Sequence, residues 1–327
     1  MRVFVTGASG WIGSAVVSEL IDEGHQVVGL ARSDASAAAL TVAGAEVHRG
    51  TLDDLDSLRD AAAASDGVVH LAFKHELAFS GNFQDAADAD RRAVETFGET
   101  LVGSDRPFVI ASGILGLAPG RVGTERDGHG PSHGPSHAPS HGPSHGPSPA
   151  VTAMGSGPQT RLATAELALS FASRGVRSSV VRLPPTNHGD GDHGFVAALV
   201  GIARDKGFSG YIGDGTNRWP AVHRLDSAHL FRLALEGAPA GSTLHAVADE
   251  GVRIREIADV IGRHLNLPAV SISPEDAAEH FTWLANFVSL DSPASSVLTR
   301  ELLGWQPKHP GLIEDLDQGH YFLTPSV

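Results

Sequence analysis

The sequence predicts an α/β protein, a doubly wound parallel sheet with a smaller carboxyl-terminal lobe over it. Three observations predict this fold. The chain opens on an apolar strand, a glycine-rich turn and a helix with apolar residues at helical spacing. Apolar, β-rich runs then alternate with helical stretches as far as about residue 185. Beyond that point the elements shorten and the alternation loosens. Strands joined by helices of this length imply right-handed crossovers, and such sheets bind ligands outside the carboxyl ends of their strands.

The first element is the strand Val3-Phe4-Val5, followed at once by Gly7-Ala-Ser9-Gly10-Trp11-Ile12-Gly13. Gly7 permits a tight turn, Gly10 lets the backbone approach a pyrophosphate, and Gly13 clears space for the helix against the strand. The helix that follows aims free N–H groups and its positive dipole end at the phosphates. Strand, glycine turn and helix in that order make this a Rossmann-type dinucleotide fingerprint, spaced Gly-x-x-Gly-x-x-Gly.

The elements continue as strand Gln26–Leu30, helix Ala35–Ala43, strand Ala45–His48, helix Asp54–Ala64 and strand Val68–Leu71. A long helix over Gln84–Val102 leads to strand Phe108–Ser112, then helix Arg161–Ser173 and strand Ser178–Arg182. Residues 1–185 are expected to form the dinucleotide-binding domain. Residues 186–327 are expected to form mostly the substrate lobe, with helices Phe195–Ala203, Asp226–Glu236 and Ile254–His264. Ala221–Val222 and Leu244–Val247 read as strands returning to the main sheet. Between the fifth strand and the next helix, residues 128–149 repeat a Gly-Pro-Ser-His unit. Histidines at period four suit nickel or zinc, but Pro and Gly prevent regular packing. An exposed insertion in a tolerant loop is the reading retained, with no metal site expected.

Composition narrows the function. A net charge of −14 argues against a nucleic-acid-binding face. No apolar run approaches the ~20 residues of a membrane span. With no cysteine there is no disulfide or thiolate chemistry. The first residues already read as strand, so no signal peptide is expected and a cytoplasmic location is.

The second strand ends Leu30-Ala31-Arg32-Ser33, with no acid to hold the adenosine ribose hydroxyls. Arg32, assisted by the Ser33 hydroxyl, can instead pair with a 2′-phosphate. NADP(H) is therefore expected ahead of NAD(H), with Asp34 the competitor if the strand ends later.

Taken together, these motifs resemble the extended short-chain dehydrogenase/reductases, the epimerase/dehydratase group. The resemblance rests on Thr6–Gly13; Gly50-Thr51-Leu52-Asp53-Asp54; His70-Leu71-Ala72; Arg182–Asp192; Val222-His223-Arg224-Leu-Asp226; and Leu303-Gly304-Trp305-Gln-Pro307. It implies that Leu52 lies against the adenine, with Thr51 in place of the usual acid. It implies that Leu71, Ala72 and Phe73 line the cofactor beyond the fourth strand, and that Pro184 and Thr186 lie near the nicotinamide. Asp226 is expected to cap the helix that it begins. A monomer or homodimer acting on a small molecule is expected.

The family's catalytic Tyr-x-x-x-Lys is absent. Aligned on Glu166, its Tyr and Lys places hold Pro158 and Leu162, and no other Tyr-x-x-x-Lys exists in the chain. The last hydroxyl place of the fifth strand holds Gly113, with Ser112 one residue early. Candidate replacements are Ser112, Arg161 as a fixed cation near the ribose, and His188 as the proton donor, with His193 and Lys74 as further donors. The expected activity is hydride transfer to a small carbonyl or related unsaturated substrate. The alternatives are a non-catalytic NADP(H) sensor and an NAD-dependent sugar-nucleotide epimerase or dehydratase.

Overall fold

Among the described residues, seven parallel strands form the central sheet, in the spatial order Ser242–His245, Arg177–Leu183, Pro107–Gly113, Gly67–His70, Arg2–Thr6, Gln26–Ala31 and Glu46–Arg49. The computed structural model describes residues 1–118, 120–128 and 157–323. The repeat's residues 129–149 lie outside the described residues.

The first half runs β1 (Arg2–Thr6), α1 (Trp11–Asp22), β2 (Gln26–Ala31), α2 (Asp34–Val42), β3 (Glu46–Arg49), α3 (Leu55–Ala63) and β4 (Gly67–His70). It continues through α4 (His75–Phe79), α5 (Phe83–Leu101), β5 (Pro107–Gly113), α6 (Gly157–Ser170) and β6 (Arg177–Leu183). The second half runs β7 (Thr186–His188), α7 (Phe195–Lys206), β8 (Ser209–Ile212), β9 (Arg218–His223), α8 (Arg224–Gly237) and β10 (Ser242–His245). β11 (Asp249–Arg253), α9 (Ile254–Leu265) and β12 (Ala269–Ile272) follow, then α10 (Ala277–Phe281), α11 (Ala285–Val288), α12 (Val297–Leu303) and α13 (Leu312–Asp317).

Alternation along the strands decides the layers. Val3 and Val5 on β1 pack with Val16, Val17 and Leu20 of α1 and Phe231 of α8. Phe4, one residue out of phase, faces Phe97 of α5 and Phe108 of β5 on the opposite side. All of these side chains are fully buried, and each large one contributes about 1.5–3 kcal/mol by leaving water. A separate core under the lobe gathers Val196, Trp219, Ile257, Phe281 and Leu316.

Two expectations need correction. The strand around Ala221–Val222 does not return to the main sheet. As β9 it pairs with β7 and, antiparallel, with β11 in a small three-stranded sheet. Only the second, around Leu244, joins the main sheet, as β10 beside β6. Asp226 does not cap α8, because the helix starts two residues earlier and His223 accepts from Leu225 N at its start. The buried Asp226 carboxylate instead accepts from the backbone of Lys308 and His309, at 2.9 and 3.1 Å, and so pins the carboxyl-terminal segment.

Candidate active site

The glycine turn tolerates no side chain at two of its three glycines. Gly7 has a φ of +67°, and a Cβ there would lie 2.8 Å from Ala72 N at the end of β4. A Cβ on Gly13 would lie 1.9 Å from the Gly7 carbonyl oxygen. Gly10 donates its N–H to that same oxygen at 2.9 Å and stands at the N-cap of α1. No side chain caps α1 and its first turn carries no acid, so its N–H groups are left for an anion. This cradle fits the phosphates of a dinucleotide. Ser9 is exposed on it, while Trp11 and Ile12 begin the helix. Trp11 also ties the cradle to the lobe: its Nε1–H donates to Asn187 O at 2.7 Å.

Beneath the turn lies a buried chain of polar groups. Thr6 Oγ1 meets His70 Nδ1 at 2.6 Å, and His70 Nε2 meets Asp90 Oδ1 at 3.1 Å. With Asp90 accepting from Nε2–H, Nδ1 accepts from the Thr6 hydroxyl, whose oxygen accepts from Ala72 N at 3.3 Å. The chain thus locks the ends of β1 and β4 together, where Leu71 and Ala72 are partly buried. Sequence reasoning took Thr6 and His70 only as motif residues. Asp90, a carboxylate on the inner face of α5, gave no signal.

At the adenosine end, Arg32 leaves β2 with its side chain 69 % exposed and, among the described residues, pairs with Glu76, itself exposed, 3.3 Å away. Such a pair is weak and exchangeable. The Ser33 hydroxyl caps α2 by accepting from Ser36 N. Thr51 accepts from Asp53 N at 3.2 Å, and Leu52 is buried among Leu30, Leu58 and their neighbours. Lys74 reaches across to both oxygens of Asp53 at 2.7 Å. The 74–76 segment therefore makes ion pairs with the ends of two strand–loop units.

At the end of β5, Ser112 is buried and stands in register with Arg182 of β6. Gly113 is exposed, and a Cβ on it would meet nothing within 4 Å. From α6, Arg161 donates to Ala111 O at 3.3 Å and lies 4.0 Å above the Phe73 ring. Burial pulls its guanidinium pKa downward against the Asp90 charge, yet an arginine remains a cation there. The structure thus brings Arg161, Phe73 and the strand that carries Ser112 together. Leu162, at the family's Lys place, is 37 % exposed. The Pro158 side chain lies outside the described residues.

His188 lies on β7, in the small three-stranded sheet. It is fully buried, Nδ1 at 2.9 Å from Asp315, its ring edge-on to His223. Burial opposes ionisation of Asp315, but His188 and His320 together hold its carboxyl below the usual range. Among the described residues no hydrogen bond or ion pair joins His188 to Ser112 or Arg161. Thr186 is also buried and donates to Pro220 O at 2.7 Å, while Pro184 O accepts from Asn187. His193 is exposed beside the Trp11 ring.

Comparison with known proteins matches residues 3–93 to the NAD dependent epimerase/dehydratase family. An uncharacterized protein of Schizosaccharomyces pombe is 46 % identical over 98 % of this chain and 100 % of its own. The chain belongs to the NAD dependent epimerase/dehydratase family. It is accordingly an NAD(P)-dependent enzyme of the oxidoreductase or epimerase type. A further relative of this family member is a sterol-4-alpha-carboxylate 3-dehydrogenase (decarboxylating) of Dictyostelium discoideum, 26 % identical over 78 % of this chain and 74 % of its own. The solved structure of MoeE5 in complex with UDP-glucose and NAD shares the fold. Its TM-score is 0.71 at 23 % identity, covering 97 % of this chain and 96 % of that one. No described helix is long and apolar enough to cross a membrane.

Proposed function

We propose that the protein is an NADP(H)-dependent oxidoreductase that transfers hydride to a small carbonyl or related unsaturated substrate. The observation that carries this reading is the pairing of the side-chain-intolerant Gly7–Gly13 cradle with the exposed Arg32 guanidinium at the end of β2. A 2′-phosphate offers Arg32 a stronger partner than Glu76 does, through charge-assisted hydrogen bonds. Lys74 adds a second cation on the same side, once its Asp53 pair is shared. Leu52, Leu71, Ala72 and Phe73 form the apolar lining, with Pro184 and Thr186 beyond β6.

The chemistry supplied by a bound nicotinamide is a hydride, which adds to the carbonyl carbon while a proton reaches the oxygen. Ser112 and Arg161 are assigned to that oxygen. Arg161 offers fixed positive charge to the developing alkoxide, and its contact with Phe73 holds it in place. The proton is assigned to water ordered by Ser112. His188, wholly buried against Asp315, serves the small sheet as an anchor.

A second reading has its own support. Gly113 and Leu162 occupy the family's hydroxyl and Lys places, which favours a protein that binds NADP(H) without turning it over. Titration with NADPH and NADH, followed by NADPH oxidation across aldehydes, ketones, imines and enones, separates the two. Tight NADPH binding with no oxidation of any of them overturns the oxidoreductase reading.

A further inference from the structure

We infer that the rings of Phe195, Trp283 and Phe287 form an apolar wall of the substrate pocket, which selects an uncharged, ring-bearing carbonyl compound over a sugar nucleotide. That the pocket holds a substrate rests on the oxidoreductase reading.

Phe195 opens α7. Its ring centroid lies 5.0 Å from Phe287, 5.6 Å from Trp283 and 5.8 Å from Trp219. Trp219 is fully buried and donates Nε1–H to Phe287 O at 3.1 Å, so it is the floor of the cluster. Phe195 and Phe287 are partly buried, and Trp283 remains 48 % exposed. An aromatic group of that size left in contact with water is a surface that a flat apolar ligand covers favourably.

Two contacts tie the segments flanking the cluster to the strand ends of the main sheet. On one side His193, two residues before Phe195, meets the Trp11 ring at 5.7 Å, at the start of α1. On the other side the Ser292 hydroxyl accepts from Gly116 N at 3.0 Å, three residues past β5. The segments that carry Phe195 and Phe287 therefore run between the glycine cradle and the end of β5. That is the crevice in which an open α/β sheet binds its ligands.

The charge beside the wall points the same way. Arg218 is the cation next to Trp219, and Asp291 takes its Nε and Nη2 at 3.0 and 2.9 Å. Asp291 also accepts from Arg218 N at 2.8 Å, and these bonds hold its carboxyl below the usual range. With its Nε–Nη2 edge on that carboxylate, the Arg218 charge is already compensated, which weakens its pull on a diphosphate. The net charge of −14 opposes an anionic substrate further.

The test uses the full chain saturated with NADP⁺, so that ligand binding is read without turnover. Cinnamaldehyde and UDP-glucose are titrated separately by calorimetry into the native protein, Trp283→Ala and Trp283→Phe. The wall predicts saturable cinnamaldehyde binding that weakens about tenfold in Trp283→Ala and is largely restored in Trp283→Phe, with no heat from UDP-glucose. The melting temperature of each variant is measured alongside, and Trp283→Phe keeps an aromatic ring against Phe195 and Phe287. Absent cinnamaldehyde binding, binding that Trp283→Ala leaves unchanged, or tight UDP-glucose binding overturns the wall. Cinnamaldehyde that binds as predicted, while no member of the carbonyl, imine and enone panel oxidises NADPH, defeats the oxidoreductase reading and leaves the wall standing.

Discussion

The β1–α1 turn and the β5–α6 end lie on the same edge of one sheet, with β4 between their strands, yet they obey different rules. At the turn, function is carried by backbone. Gly13 would strike the Gly7 carbonyl at 1.9 Å with any side chain, and Gly7 would strike Ala72 N at 2.8 Å. At β5 the constraint is loose. Gly113 faces open space, Leu162 is partly in solvent, and Arg161 comes in from α6 to the strand end. A cradle made of N–H groups cannot change without losing the fold around it. A catalytic group is a side chain on a helix face, and it can be exchanged while the sheet stays intact.

The largest expected effect breaks the tight side. Gly13→Ala is expected to cost up to about 100-fold in NADPH affinity, since overpacking costs about 1–3 kcal/mol at a site that cannot relax. Fluorescence titration and a melting curve read this, and native affinity in the variant would mean that the turn adapts. On the loose side, Arg161→Met is expected to lower kcat about 100-fold with the melting temperature within a few degrees. An unchanged kcat would remove Arg161 from the chemistry.

Arg32→Ala sharpens the cofactor end. It is expected to raise the NADPH Kd about tenfold or more and to leave the NADH Kd alone. Equal effects on the two would show that Arg32 does not read the 2′-phosphate.

Acid titration probes the frame that both regions share. Burial holds His223 down to about 4 from 6.5, helped by the neighbouring His188 and His309 charges. Burial lowers His245 in the same way. Below pH 6.5 the unfolded chain takes up protons on these two residues and the folded chain does not. Their linkage therefore makes stability fall as the pH drops from about 6.5 toward about 4, and adds nothing above that window. Melting temperatures across this range in native and His223→Gln protein check it, the variant showing the shallower slope.

The smallest effect is expected from Gly113→Ser, within about 0.5 kcal/mol of native stability, because the new side chain enters empty space. A large loss of melting temperature would show that the end of β5 is as constrained as the glycine turn.

The same contrast explains what could be read from the sequence. Alternating strands and helices, with the glycine spacing, carried the seven-stranded sheet and the cradle, because both follow local pattern. The place of β9 could not be read, since Ala221 and Val222 are equally apolar in either sheet and only pairing with β7 and β11 decides. Asp226 looked like a cap by position, but its partners are some eighty residues away at Lys308 and His309. Asp90 and the aromatic cluster around Phe195 were equally hidden, because helix packing and the lobe assemble them from distant segments. Arg161 was legible as a lone cation on the right helix. Its seat on Phe73 was not.

The most direct test of the central claim is NADPH consumption by the native chain across the carbonyl, imine and enone panel. The account predicts oxidation with at least one uncharged substrate, faster with NADPH than with NADH and nearly abolished in Arg161→Met. Tight NADPH binding with no oxidation of any member would contradict it.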